Sequence, residues 1–318
     1  MQKMIISNKN DKIEMTKLAI GHRGLSDPST HNFVKWTFDS YLDAGGNCID
    51  TARLYEGGLG ERAVGQYLKG RQRDKIVLIS KCAHYDRSVP NAPHRLAPED
   101  IRSDIDTSLS ELDTDYIDIM FLHRDDIKRP IDEIMPVLHE YVKAGKMRQL
   151  GASNWTAGRI AAANKFAEEN GLTPFSVSQL HYSLGLTTPG ASNDNSHVIM
   201  DDIEYSWYKE TKFPVMAWTA GAQGYFAKLA AGETPHPGTL ARYDWVPENH
   251  QRLKKVIKLA SELEKPVSAV VLAYIMCDYE VPSCAITAFS KEHQFHEAMA
   301  ATEITLTRQQ RRYLESGQ

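Results

Sequence analysis

The sequence predicts an α/β protein folded as a (β/α)8 barrel, the TIM-barrel arrangement, filling residues 1–318 as one domain. Three observations lead there. Short β-rich runs alternate with helical patterns along almost the whole chain. Several runs are apolar nearly throughout, as parallel strands covered on both faces require. Eight such runs can be counted, the number that closes a barrel of this kind.

The strand candidates are, in order, KLAIGH from Lys17, GNCIDTA from Gly46, KIVLISK from Lys75 and YIDIMFLH from Tyr116. MRQLGASN from Met147, SVSQLHYS from Ser176, FPVMAWTA from Phe213 and CAITAF from Cys284 follow. Helical stretches lie between them. Phe33 to Ala44 is the first, and Glu61 to Lys69 comes after a glycine-rich loop. Pro98, Glu99 and Asp100 suit a first helical turn, because proline needs no N–H there and early acids are attracted to the positive end of the helix dipole. Ile131 to Ala144 and Thr156 to Asn170 each end before a glycine, Gly145 and Gly171, that suits a C-cap. Asp201 to Lys212 and Asn249 to Leu263 are further helices. The run from Val267 to Cys277 is long for a strand and reads as a buried helix despite its β-branched residues.

A doubly wound sheet is the competing arrangement, and it would place G-x-G-x-x-G after an early strand. GHRGLSDPSTHN follows the first strand here and lacks that pattern. Gly57, Gly58 and Gly60 cluster after the second strand and read as a loop and helix entry. Irregular stretches near 83–97, 184–197 and 231–247 follow predicted strands. They are expected on one barrel face, shaping a pocket.

Composition narrows the function. Of 318 residues, 42% are hydrophobic and 25% charged, an ordinary globular balance. Lys+Arg is 37 against Asp+Glu 41, so no basic excess points to nucleic acid. The opening residues MQKMIISNKNDKIEM lack an apolar signal core, and the longest oily run is too short for a bilayer. Four cysteines without a C-x-x-C pair fit reduced thiols. A cytoplasmic protein without a membrane segment is expected. No heptad run forces association, and the oligomeric state is left open.

The reactive side chains gather at the strand ends. Asp50 ends GNCID, Tyr55 follows in the next loop, Lys81 ends KIVLISK and His123 ends YIDIMFLH. Each alone also fits a structural role: a turn cap, a packed ring, a solvated strand end or a hydrogen-bonded histidine. A barrel, however, brings successive strand ends together. Free tyrosine, with a pKa of about 10, is a poor acid near neutrality, and a nearby lysine cation stabilises its anion. A buried Lys81 would need an anion, which Asp50 supplies. His123 could orient a carbonyl oxygen. These are the parts needed when a hydride from a nucleotide cofactor attacks a carbonyl carbon and the oxygen must take a proton.

GNCIDTARLYEGGLGERAVGQYL and the Ile101 to His123 region, ending LDTDYIDIMFLHRDD, resemble two signatures of the aldo-keto reductase family. The resemblance covers nearly the whole chain. It implies a (β/α)8 barrel, a nicotinamide cofactor and a catalytic tetrad, here Asp50, Tyr55, Lys81 and His123. It also implies cofactor contacts from Ser153, Asn154 and Gln179 at the carboxamide and from Trp218 beneath the ring. Thr219, Gly221 and Gly224 in TAGAQGYF stand where pyrophosphate is held, and that run is similar to a less common bacterial branch. Ser290, Lys291 and Gln294 stand at the adenosine end. Gln294 occupies a place where arginine is frequent, and Ala298 one where asparagine is. NADPH is the favoured cofactor, with NADH the alternative.

Arg23, Tyr85, Arg124 and Trp155 are the candidate substrate-pocket residues. Their mixture of rings and cations suits a sugar-like or small aromatic carbonyl. No metal is expected, because the histidines are scattered and no H-E-x-x-H occurs. No G-x-S-x-G elbow supports an esterase, and Asp50 with Asp118 makes no glycosidase pair. The expected function is therefore NAD(P)H-dependent reduction of an aldehyde, ketone or sugar-like carbonyl. A cofactor-binding regulatory or interaction protein on the same scaffold is the alternative. A nucleotide-free barrel isomerase or lyase is a third reading.

Overall fold

The apolar runs become barrel staves because neither face of these strands reaches water. Val77–Cys82 and Ile117–Leu122 are buried at every position, with helices outside and side chains packed within. The structure, a computed structural model, describes residues 1–85, 89, 92, 94–191 and 194–316. Its strands are β1 Lys3–Ser7, β2 Lys12–Thr16, β3 Leu18–Gly21, β4 Cys48–Asp50 and β5 Val77–Cys82. They continue with β6 Ile117–Leu122, β7 Met147–Ser153, β8 Val177–His181, β9 Val215–Trp218 and β10 Ser283–Thr287. Strands β3 to β10 form a closed barrel of parallel neighbours, with β10 pairing back to β3. All eight expected runs contribute one stave each.

The antiparallel hairpin of β1 and β2 was not expected. Its alternating burial puts Met4, Ile6, Ile13 and Met15 inside. They share a buried cluster with Val77, Val177 and Cys284, residues at the start of barrel strands. The hairpin therefore plugs the end where strands begin and leaves the strand ends as the working face.

The helices are α1 His31–Asp43, α2 Leu59–Leu68, α3 Pro98–Glu111, α4 Ile131–Lys143, α5 Ala157–Glu169 and α6 Asp202–Thr211. After them come α7 Tyr225–Ala230, α8 Pro237–Tyr243, α9 Pro247–Leu263, α10 Val267–Met276, α11 Glu292–Ala301 and α12 Arg308–Glu315. Gly145 and Gly171 take positive φ of 72° and 68° just past α4 and α5, as C-caps do. Every residue of α10 from Ala269 to Met276 is buried, so packing overrides its β-branched content.

Four helices, α7, α8, α11 and α12, escaped the sequence reading. The stretch 231–247, expected to be irregular, contains α8 and reaches the first residue of α9. Its helix opens at Pro237, and the cap is an unusual one: the His236 ring accepts from the Gly238 N–H at 3.1 Å. Of the expected loop 83–97, residues 86–88, 90, 91 and 93 lie outside the described residues, as do 192 and 193 of the loop 184–197. Among the described residues no helix is long and apolar enough to cross a membrane.

One helix start ties two layers together. Thr156 caps α5 through Arg159 N–H, and the Ala157 N–H donates to both carboxyl oxygens of Glu204 on α6, at 3.1 and 3.0 Å. Burial pushes the Glu204 carboxyl up to about 7, against the bond from Ala157, and Asp201 adds to the rise. The folded chain then holds this proton where the unfolded chain, near 4.5, has lost it. The stabilisation is fully present below about 4.5 and is lost as pH rises through about 7. Thermal melts of wild type and Glu204→Gln from pH 5 to 8 test this. Wild type should lose stability relative to the variant across that range, and a constant difference would refute it.

Candidate active site

Strand β4 delivers Asp50, β5 delivers Lys81, and His123 follows directly on β6. Tyr55 begins a short 3-10 turn, Tyr55–Gly58, that leads into α2. Lys81 has no exposed surface and Asp50 is 3% exposed. A lysine so placed must satisfy three donors and a charge. The Lys81 Nζ lies 2.6 Å from Asp50 Oδ1, 2.8 Å from the Thr51 carbonyl and 3.0 Å from the Tyr55 hydroxyl. The second Asp50 oxygen accepts from Gln179 Nε2 at 3.0 Å. Burial works against the ammonium, but Asp50 and Tyr55 outweigh it and hold the Lys81 pKa above its ordinary value. Lys81 therefore stays a cation beside the Tyr55 oxygen.

Tyr55 stands between two imidazoles. Its ring meets His22 edge-on at 6.0 Å and His123 at 5.9 Å, and His84 contacts His123 at 4.7 Å. A β-carbon on Gly60 would sit 2.8 Å from the His22 ring and 3.2 Å from the Tyr55 side chain, so this contact requires glycine. The structure thus brings Asp50, Tyr55, Lys81 and His123 together.

Asp50 and Tyr55 open onto a cavity of about 1870 Å³, larger than an ordinary small-molecule pocket. From Tyr55 it runs past Trp218, Thr219, Gly221 and Gly224 to Ser290, Lys291 and Gln294. Such a shape fits a dinucleotide. The Trp218 Nε1 is buried with no hydrogen-bond partner among the described residues. The indole is flanked by His181 at 4.9 Å and His197 at 4.8 Å. Burial, with Arg242 and His197 nearby, pushes His181 down to about 3, so this ring is neutral. Three residues placed just past strands, Ala83, Asn154 and Thr219, hold positive φ of 61°, 56° and 61°. Non-glycine residues adopt that conformation at a cost, which here falls around the site.

Several expected positions differ. Ser153, Asn154 and Gln179 are buried beneath the cavity and do not line it. Asn154 donates to Ser153 Oγ at 3.0 Å and Gln179 serves Asp50. Trp155 is no pocket wall. It is fully buried, packs on Phe175 and donates to the Arg124 carbonyl at 3.2 Å. Arg124 is also buried and off the lining. It donates to the His123 carbonyl at 2.8 Å and pairs with Asp194 at 3.2 Å. Tyr85 and Arg23 do line the cavity, and the Tyr85 hydroxyl donates to Asp194 at 3.0 Å. Gln294 braces its own loop by accepting from the Ser290 N–H at 3.0 Å.

The sequence reading missed Lys228, His236, Arg242 and His293, which also line the cavity. Two of them lie in 231–247, the stretch already expected to shape a pocket. Their basic character was the available signal. Among the described residues no group of three His, Cys, Asp or Glu could hold a metal.

A closed parallel barrel with a buried Asp–Lys–Tyr chain at its strand ends defines a narrow class of protein. The aldo/keto reductase family profile matches residues 17–317, and the chain belongs to that family. It is 38% identical over 151 residues to a norsolorinic acid reductase of Aspergillus flavus, covering 46% of this chain and 39% of that one. Norsolorinic acid reductase A of Aspergillus parasiticus is 31% identical, over 75% of this chain and 59% of its own. The matched stretches therefore span less than two thirds of these two relatives. A probable aryl-alcohol dehydrogenase of Saccharomyces cerevisiae is 28% identical, over 87% and 85%. The crystal structure of a thermostable aldo-keto reductase with the inhibitor epalrestat superposes with a TM-score of 0.74, covering both chains fully at 19% identity, and shares the fold.

The Asp50–Lys81 pair yields a stability prediction. Asp50→Asn removes the counter-charge from a fully buried ammonium, which should cost about 3–5 kcal/mol. Urea unfolding measures it. A loss within error of zero would show that the pair carries no weight in the fold.

Proposed function

We propose that the protein is an NAD(P)H-dependent oxidoreductase reducing an aldehyde, ketone or sugar-like carbonyl to the alcohol, reversibly. The observation that carries this reading is the Lys81 ammonium held between Asp50 and the Tyr55 hydroxyl, two groups that line a large cavity. The bound nicotinamide cofactor supplies the hydride that adds to the carbonyl carbon. Tyr55 gives the carbonyl oxygen its proton. Lys81 lies 3.0 Å from the oxygen left behind and offsets its developing charge. Asp50 keeps Lys81 charged and in place. His123 orients the carbonyl oxygen against Tyr55.

Trp218 forms the wall for the nicotinamide, with Thr219, Gly221 and Gly224 beside the diphosphate. Ser290, Lys291 and Gln294 take the adenosine end, while Ser153, Asn154 and Gln179, buried off the lining, support the carboxamide end without touching it. Lys228, Arg242 and Lys291 line the cavity and favour NADPH over NADH, because they offer cations to an extra phosphate. Tyr85 and the rings near Tyr55 favour a sugar-like or small aromatic substrate. The aryl alcohol in the yeast relative's name supports the second of these. In this reading one barrel unit over 1–318 carries the proposed chemistry. The four buried free cysteines suit the reducing cytoplasm.

A panel of aldehydes, ketones and sugars, followed at the nicotinamide absorbance with NADPH and NADH side by side, tests the proposal. Tyr55→Phe should lower kcat by about 10²–10⁴-fold, the usual contribution of a positioned acid, while cofactor binding stays measurable. Normal turnover by that variant would remove Tyr55 from the proton transfer. Cofactor binding without turnover by wild type would leave a regulatory scaffold.

A further inference from the structure

We propose that Arg23 selects carbonyl substrates bearing an anionic group, a carboxylate or a phosphate, and that Glu56 is the residue positioning it. This rests on the reductase reading above and names its substrate class.

Two arginines near the site are suited to an anion, and the structure separates them. Arg124 is engaged by Asp194 and by the His123 carbonyl, and its side chain is 4% exposed. Arg23 is exposed, lines the cavity and forms no ion pair with any described residue. It sits two residues past Gly21, whose register partner is Asp50. The adjoining His22 ring bonds to Thr51 Oγ1 at 2.8 Å and meets the Tyr55 ring. Arg23 is therefore a cation of the catalytic end. The cations Lys228, Arg242 and Lys291 line the cavity alongside α7, α8 and α11 instead.

Among the described residues, Asp50 is matched by Lys81 and Asp194 by Arg124, while the positive charge of Arg23 is left open to an incoming group. Its guanidinium offers a planar fork that fits a carboxylate or phosphate.

The backbone of Arg23 is held rigidly from one side. Glu56 accepts from His22 Nδ1 at 2.8 Å, from the N–H groups of Gly24, Leu25 and Ser26 at 2.8, 3.0 and 2.7 Å, and from the Ser26 hydroxyl. Thr30 Oγ1 adds a bond to the Gly24 carbonyl at 2.6 Å. None of the donors to Glu56 is Arg23, so the carboxylate fixes the loop without consuming its cation. Although burial opposes its charge, the bonds from His22 and Ser26 hold the Glu56 carboxyl well below the usual range. Glu56 itself holds φ of 54°, a strained choice for a residue with a β-carbon. It directly follows Tyr55, so one turn sets both the proposed acid and the loop that presents Arg23. A preorganised guanidinium loses less freedom when it binds.

The test compares 4-formylbenzoate with its neutral methyl ester, using wild type, Arg23→Gln, Arg23→Lys and Glu56→Gln at saturating NADPH. Arg23→Gln should raise the KM of the anion relative to the ester by about 10- to 100-fold, the loss of one bond to a charged group. Arg23→Lys should recover part of that ratio. Glu56→Gln should move it in the direction of Arg23→Gln, a change in selectivity that general loosening of the fold does not produce. An unchanged ratio overturns the proposal. An unchanged ratio with weakened NADPH binding, read by tryptophan fluorescence, assigns Arg23 to the cofactor diphosphate instead. If wild type reduces no carbonyl at all, the reductase reading falls. Calorimetric binding of the two aldehydes to the NADP+-saturated protein then decides Arg23 separately, by the same ratio.

Discussion

The site depends on one buried ion pair. Lys81 is sealed from water, and an ammonium in that position persists only if its charge and its three protons are all met. Asp50, the Thr51 carbonyl and the Tyr55 hydroxyl meet them. Those three groups come from one strand and the turn after it, and Lys81 comes from the adjacent strand. Their spacing follows from the parallel register of β4 and β5, in which Asp50 stands beside Ile79, two residues before Lys81. Gln179, far along the chain on β8, closes the arrangement by bonding the other Asp50 oxygen. A closed barrel brings that strand into reach.

The same closure sets the polarity of the molecule. The hairpin of β1 and β2 packs Met4, Ile6, Ile13 and Met15 against the strand starts, so chemistry is confined to the strand ends. There the loops are braced by charge. Asp194 joins Arg124 and Tyr85, and Glu56 gathers the loop of residues 22–26. Backbone strain at Ala83, Asn154 and Thr219 is borne by the rigid strands immediately before them. The site is thus a set of loops whose positions are imposed by strands and whose conformations are locked by a few partly buried acids.

Much of this was legible in the residues themselves. Nearly continuous apolar runs such as VLIS and IDIMFL announce doubly covered strands, and Asp50, Lys81 and His123 stand at or just beyond strand ends where period alone could locate them. Tyr55 was legible because it follows Asp50 closely within a matching motif. The short helices α7, α8 and α11 were not, because their ends use a histidine ring, loop glycines and packing in place of standard caps. Trp155 and Arg124 were misplaced for a related reason. Their positions beside the site along the chain were correct, but a strand end gives neighbouring residues opposite directions, and these two turn inward to Phe175 and Asp194.

The sequence by itself determined the eight strands, their parallel order and the residue types assembled at their ends, because hydrophobic period and chain order are local properties. Only the tertiary structure decided which charges cancel. Arg124 is neutralised by an acid 70 positions away, Asp50 is held by Lys81 and Gln179, and Arg23 remains without an ionic partner among the described residues. Pairing depends on distance through space, which chain order does not encode, and among the described residues it leaves Arg23 as a cation open to an incoming anion.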